Sequence, residues 1–86
     1  MNDPAFRMGW TKLHYACGIS FEKTKEVLES KEFDINVATP NGVTPLMVAT
    51  AVMVESRIIK YLIQMGADIT AKTQKGQVAN DFLIFK

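Results

Sequence analysis

One cysteine, Cys17, in 86 residues excludes an internal disulfide, and with it the cross-linked framework of a small secreted domain. A reducing, intracellular compartment is therefore expected, the cytoplasm first, with the nucleus also open. The start, Met1-Asn2-Asp3-Pro4, lacks the basic residues and apolar stretch of a secretory signal. Charge of one sign is not in excess either: ten Lys and Arg stand against nine Asp and Glu, for a formal +1. Nucleic-acid binding driven by counterion release needs a basic surplus, so no nucleic-acid partner is expected. Long apolar runs are missing as well. Leu46 to Val54, with Thr50 its only strongly polar member, is about half the length of a membrane-spanning helix, and it predicts a buried helix with no membrane partner. What is there, 48% hydrophobic and 22% charged residues, fits one small globular domain, which buries too little surface to be more than marginally stable alone.

The positive signal is a repeat. Gly9-Trp10-Thr11-Lys12-Leu13-His14-Tyr15-Ala16 aligns with Gly42-Val43-Thr44-Pro45-Leu46-Met47-Val48-Ala49, with Gly, Thr, Leu and Ala each displaced by 33 positions. Phe33-Asp34-Ile35-Asn36 aligns with Ala67-Asp68-Ile69-Thr70 at 34, and Gly76 follows Gly42 by the same 34. A fixed period of this size marks an array of equivalent supersecondary units. The extra residue must fall within Ala51 to Ser56, where it lengthens a connection without rotating an apolar face out of the core.

Within each unit the pattern predicts two helices. Thr44-Pro45 reads as a start, with a hydroxyl to cap a free N–H and proline at the first helical position. A second helix is expected over Arg57 to Met65, where Ile58, Ile59, Leu62 and Ile63 recur at helical spacing and Gly66 follows as a stop. The first unit gives helices from about Lys12 to Cys17 and about Glu22 to Ser30, with Val27 and Leu28 turned inward. Between the pairs, residues 34–43 and 68–77 set β-branched residues around turn formers such as Pro40-Asn41-Gly42, as hairpin-like fingers would.

Gly42-Val43-Thr44-Pro45-Leu46 and Gly66-Ala67-Asp68-Ile69-Thr70 resemble the ankyrin repeat, whose signatures G-x-T-P-L-H-x-A-A and G-A-D-[IV]-N are met in two tandem copies. The resemblance implies an all-α solenoid of antiparallel helix pairs joined by extended, β-hairpin-like fingers. It covers one domain over residues 1–86, with repeat one at about 5–37, repeat two at about 38–71 and a partial, degenerate third at 72–86. Departures are local. Lys12 replaces the helix-start proline, Cys17 and Thr50 the second alanine, and Met47 the histidine. In the last copy Val78 stands at the capping threonine and Asn80 at the core leucine.

The resemblance further implies a protein-protein interaction module, without catalysis or cofactor, that binds another protein through finger tips and the concave face of the first helices. The positions that carry this are Arg7, Met8, Trp10 and Tyr15 in copy one, with Ala38, Pro40, Asn41, Val43 and Val48 in copy two, continued by Lys72, Gln74, Lys75 and Gln77. Trp10, Tyr15 and Arg7 are residue types enriched at interface hot spots. Trp10 and Tyr15 either bind a partner or cover the exposed end of the core.

Other chemistry reads as scaffolding. His14 and Cys17 lie three apart on one helix, yet a metal site or dyad needs further ligands or an orienting group, and no metal is expected. Asp34 and Asp68 occupy equivalent positions, as acids that satisfy the following turn would. No phosphate-loop motif accompanies Gly66 or Gly76. Lys72, Lys75 and Lys86 read as a solvated surface. The tail Phe82-Leu83-Ile84-Phe85 places four large apolar side chains after roughly two and a half repeats, short of the usual minimum of about three. A fragment of a longer array, or a homo-oligomer assembled through this end, is the expectation; a structural or regulatory assembly role is the alternative function.

Overall fold

A computed structural model describes residues 8–52 and 55–82. Its elements are α1 (Lys12–Cys17), α2 (Phe21–Glu29), α3 (Pro45–Val52), α4 (Ser56–Gln64) and a 3-10 helix at Ala79–Phe82. Every expected helix is present to within a residue or two, and there is no strand among the described residues. Three residues, Gly18 to Ser20, separate α1 from α2, so that pair folds back on itself, as so short a helix connection requires. Inner helices pack side by side, α1 on α3 and α3 on the 3-10 helix, while α2 packs on α4 as an outer layer. The core between the layers holds Leu13, Ala16, Cys17, Val27, Leu46, Met47, Ala49, Ile58 and Leu62.

Local chemistry sets each boundary. Thr11 caps α1, and the residue three along, His14, accepts the Thr11 N–H at its Nδ1 (3.0 Å). This reciprocal arrangement satisfies two free helix-end donors. The same place is filled by a thioether in the next unit, Thr44 N–H to Met47 Sδ at 3.4 Å. In the last unit it is filled by a carboxylate, Val78 N–H to Asp81 Oδ2 at 2.9 Å. The degenerate third copy thus keeps one half of the reciprocal cap, the other being lost with the hydroxyl at Val78, and Asn80, at the leucine position, is exposed while Ala79 is buried instead. At the end of α4, Ala67 N–H reaches Leu62 O and Gly66 N–H reaches Ile63 O, with Gly66 at φ 101; this is the Schellman stop that glycine favours.

The connections after α1 and after α3 are each three residues long, whereas α3 runs two residues longer than α1, through Ala51 and Val52, so the extra length of the second unit is taken up at the end of the helix and not in the connection. Glu55, in that connection, makes no cap for its own helix. Its Oε2 accepts from Phe21 N–H at 3.2 Å and so caps α2 of the preceding pair, while Arg57 grips Oε1 at 2.7 and 3.0 Å. The Arg57 guanidinium also sits 4.4 Å over the Phe21 ring, and Tyr61 meets that ring edge-on at 5.2 Å. These contacts lock the outer layer.

The fingers are tight turns. Thr39 N–H donates to Val43 O and Gly42 N–H to Thr39 O, with Gly42 at φ 84 and no positive φ at Pro40 or Asn41. That is a type I turn closed by a left-handed glycine. Thr73, Gln77 and Gly76 repeat it one finger on. Thr50 ties the third unit down: its hydroxyl lies 2.9 Å from Met47 O and 3.1 Å from Ala79 O. Thr50→Val is expected to lower the unfolding free energy by about 1–2 kcal/mol, chiefly by leaving the Ala79 carbonyl unpaired. Urea denaturation measures it, and an unchanged midpoint would show that the 3-10 helix does not depend on this bond.

Candidate functional site

The surface that the fingers and α1 present is built on backbone contacts between successive turns. Asn41 O accepts Gln74 N–H at 3.0 Å, and Pro40 O accepts Gln74 Nε2 at 3.1 Å. Asn36 Oδ1 accepts Asp68 N–H at 2.7 Å. A Cβ on Gly42 would stand 2.9 Å from Lys72 O and from Thr73 Cα, so the two fingers touch backbone to backbone there. Asp68 folds its own turn, accepting from Thr70 N–H at 2.8 Å and Thr70 Oγ1 at 2.6 Å. Those hydrogen bonds hold its carboxyl below the ordinary range. Asp34 does the same for Asn36 N–H at 2.8 Å. Both acids are therefore occupied by structure, as their repetition implied.

His14 joins the first helix to the second finger. Its Nε2 lies 2.7 Å from Val43 O, an atom that can only accept, so Nε2 carries the proton. Nδ1, unprotonated, receives Thr11 N–H and lies 2.8 Å from Thr11 Oγ1. Burial lowers the pKa, against the Val43 hydrogen bond, which raises it. The ring is neutral and fully committed. Burial pushes the Cys17 thiol up to about 12, partly offset by a hydrogen bond with Thr24, so it is a small core group and not a nucleophile.

On the candidate binding face, Met8 and Tyr15 are exposed, at 60% and 53%. Trp10, half-buried, packs on the core. It stacks near His14, 6.3 Å between centroids, and meets Tyr15 edge-on at 5.1 Å. Ala38, Pro40, Lys72, Gln74 and Lys75 are exposed, while Asn41 and Gln77 are half-buried within their turns. Two candidates must be removed. Val43 is 2% exposed and Val48 0%, so neither can be displayed. Val43 follows the finger turn into the core beneath His14, and Val48 faces the preceding helix pair, with its Cγ1 3.6 Å from where a Gly18 Cβ would lie. Of the apolar residues that recur along α4, Ile58 and Leu62 are buried, Ile59 is half-buried and Ile63 is 48% exposed. Arg7 and Leu83, Ile84 and Phe85 lie outside the described residues, as does the side chain of Phe82. Residues that the sequence did not single out include Ile19, 58% exposed beside Tyr15, and Glu55.

Stacked helix pairs carrying equivalent caps and equivalent fingers define a helical repeat solenoid. The ankyrin repeats family (3 copies) matches residues 1–73, and the chain belongs to the ankyrin-repeat family. Among solved structures, the chain is similar to one in the complex of the Bd0816 predatory endopeptidase from Bdellovibrio bacteriovorus with immunity protein Bd3460. The TM-score is 0.78 at 25% identity, over 87% of this chain and 39% of that one. The chain thus spans well under half the length of that neighbour. No curated protein matches it.

Proposed function

We propose that this chain is a protein-binding module that displays the exposed side chains of the first helix and the finger tips, Met8, Trp10, Tyr15, Pro40, Gln74 and Lys75, to a partner protein. The reading rests on one observation. Exposed Met8 and the edge-on pair of Trp10 and Tyr15 accompany fingers pinned to one another through Asn41 O, Pro40 O and Gly42. A surface fixed in this way loses little conformational entropy on docking. The similar solved chain comes from a complex of two proteins, which agrees with a protein partner. With the imidazole neutral and the thiol inert, binding without catalysis is the reading that suits the buried groups. We place the chain inside the cell, as one domain divided near 37/38 and 71/72.

Tyr15→Ala is the cleaner probe, because Trp10 also covers His14. Affinity capture with the wild-type chain, followed by a titration of the captured protein, should show at least about 30-fold weaker binding for Tyr15→Ala–Met8→Ala. Binding should be unchanged for Glu22→Ala–Lys60→Ala on the outer layer. Equal affinity for all three forms would refute the concave face as the interface. The assembly alternative is that the chain self-associates through its apolar end, Phe82-Leu83-Ile84-Phe85, with Ile63, Met65 and Ile69 of the preceding repeat adding exposed apolar side chains; a mass that rises with concentration in light scattering, and falls back with Phe85→Asp, would favour it.

A further inference from the structure

Asn41 and Gly42 stand side by side at the tip of the second finger. In such a pair the asparagine side chain is open to attack by its own backbone, because glycine puts no Cβ beside the nitrogen that must approach. Met8-Gly9 and Lys75-Gly76 hold the same place in the neighbouring fingers, so the middle finger alone carries this chemistry. Asn36 and Asn80 precede Val37 and Asp81, whose side chains crowd the approach. The peptide group between Asn41 and Gly42 has to turn for the reaction, and it is held at both ends. Its N–H donates to Thr39 O at 2.8 Å, and its carbonyl accepts Gln74 N–H at 3.0 Å from the next finger. Gln74 Nε2 adds a bond to Pro40 O at 3.1 Å. The Gly42 backbone also lies so close to the third finger that a Cβ there would stand 2.9 Å from Lys72 O.

We propose that Asn41 is a site of spontaneous deamidation whose rate is set by the finger-to-finger contact at Gln74. When that contact opens locally, Gly42 N bonds to Asn41 Cγ and the Cγ–Nδ2 bond breaks. The proton lost from Gly42 N passes through solvent to the departing ammonia. Water then cleaves one of the two C–N bonds of the succinimide ring, leaving aspartate or isoaspartate, and nothing is oxidised or reduced. In the isoaspartyl product the main chain runs through Cβ and Cγ, which lengthens a turn closed by Thr39 N–H on Val43 O. The altered finger no longer matches the third, so the modification removes the contact that restrained it.

The experiment follows Asn41 by peptide mapping that separates aspartyl from isoaspartyl products, in mildly alkaline buffer with and without denaturing urea. The folded wild-type chain is expected to react at least about 30-fold more slowly than the chain in urea, since only opened fingers react. Gln74→Pro is the deciding variant. Gln74 follows Thr73 in its turn as Pro40 follows Thr39 in the preceding one, a position that suits proline. The substitution therefore spares the turn while removing both donors to the second finger, and it should speed the folded chain about tenfold. Gln74→Ala keeps the backbone N–H and should give about threefold; it decides the matter if Gln74→Pro does not fold. Urea midpoints fix the globally unfolded fraction of each variant, and an acceleration no larger than that fraction accounts for would overturn the proposal. Equal rates in wild type and variants, equal rates folded and in urea, or no product at Asn41 in urea would do the same. The readout contains no partner, so its outcome is separate from that of the binding reading.

Discussion

Gly42→Ala is expected to destabilise this chain by about 3–4 kcal/mol, whereas the same change at Gly76 should cost only about 1–2 kcal/mol. The two glycines occupy the same place in successive fingers, at φ 84 and 77, so both lose the freedom that lets glycine adopt a left-handed conformation cheaply. They differ in what lies beyond them. A Cβ on Gly76 meets nothing within 4 Å, whereas one on Gly42 would stand 2.9 Å from Lys72 O and Thr73 Cα. Backbone cannot swing aside as a flexible side chain can. The second finger must then retreat, stretching the bonds from Gln74 N–H to Asn41 O and from Gln74 Nε2 to Pro40 O. A domain of this size has about 4–13 kcal/mol in all, so the loss at Gly42 is a large share. Urea midpoints at constant m-value measure both variants, and amide exchange at Gln74 should accelerate only in Gly42→Ala. Equal costs at the two positions would mean that the close approach contributes nothing.

Much of this architecture was legible because the repeat register is carried by a few residues with strong local mechanics. Gly42, Thr44-Pro45, Gly66 and the acids at 34 and 68 place turns, caps and stops wherever they stand, and the four helices follow. What register could not supply was neighbourhood. Val48 and Tyr15 are the same position of the same motif, yet one is buried and the other more than half exposed, because among the described residues Val48 has a helix pair packed in front of it and Tyr15 does not. A rule that a repeat position is displayed therefore failed at Val48. Helical spacing alone likewise did not separate Ile63, 48% exposed, from the buried Ile58 and Leu62 on the same helix. Glu55 was invisible for a different cause. Its partner, Phe21 N–H, is 34 residues away, and no local pattern announces a side chain that caps another unit's helix. Nor did spacing reveal that a thioether and a carboxylate could replace the imidazole at the cap; each offers the one property required there, an acceptor three residues along.

The imidazole does more than the groups that replace it, and this gives the other large effect. Met47 accepts Thr44 N–H but has no donor in its side chain, whereas His14 spans from Thr11 N–H to Val43 O and so ties helix α1 to the following finger. His14→Leu keeps an apolar side chain in the core but strands both backbone groups, an expected loss of about 2–4 kcal/mol at neutral pH. Protonation should act on the same bonds. A proton at Nδ1 would face the Thr11 N–H that now donates to it, so the folded state favours the neutral ring, and burial sets the folded pKa below the ordinary 6.5. Between those two values the unfolded chain binds more protons than the folded one. Unfolding free energy therefore falls as pH drops from above 6.5 toward the folded value, with no further loss from this residue below it. His14 is the single histidine, and the lowered carboxyls of Glu55 and Asp68 titrate in a more acidic window. Denaturation midpoints across about pH 5–8 should decline toward acid in the wild type and stay level in His14→Leu. A parallel decline in both proteins would place the titrating group elsewhere, whereas a level variant would make the junction between α1 and the second finger the acid-sensitive element of the display surface.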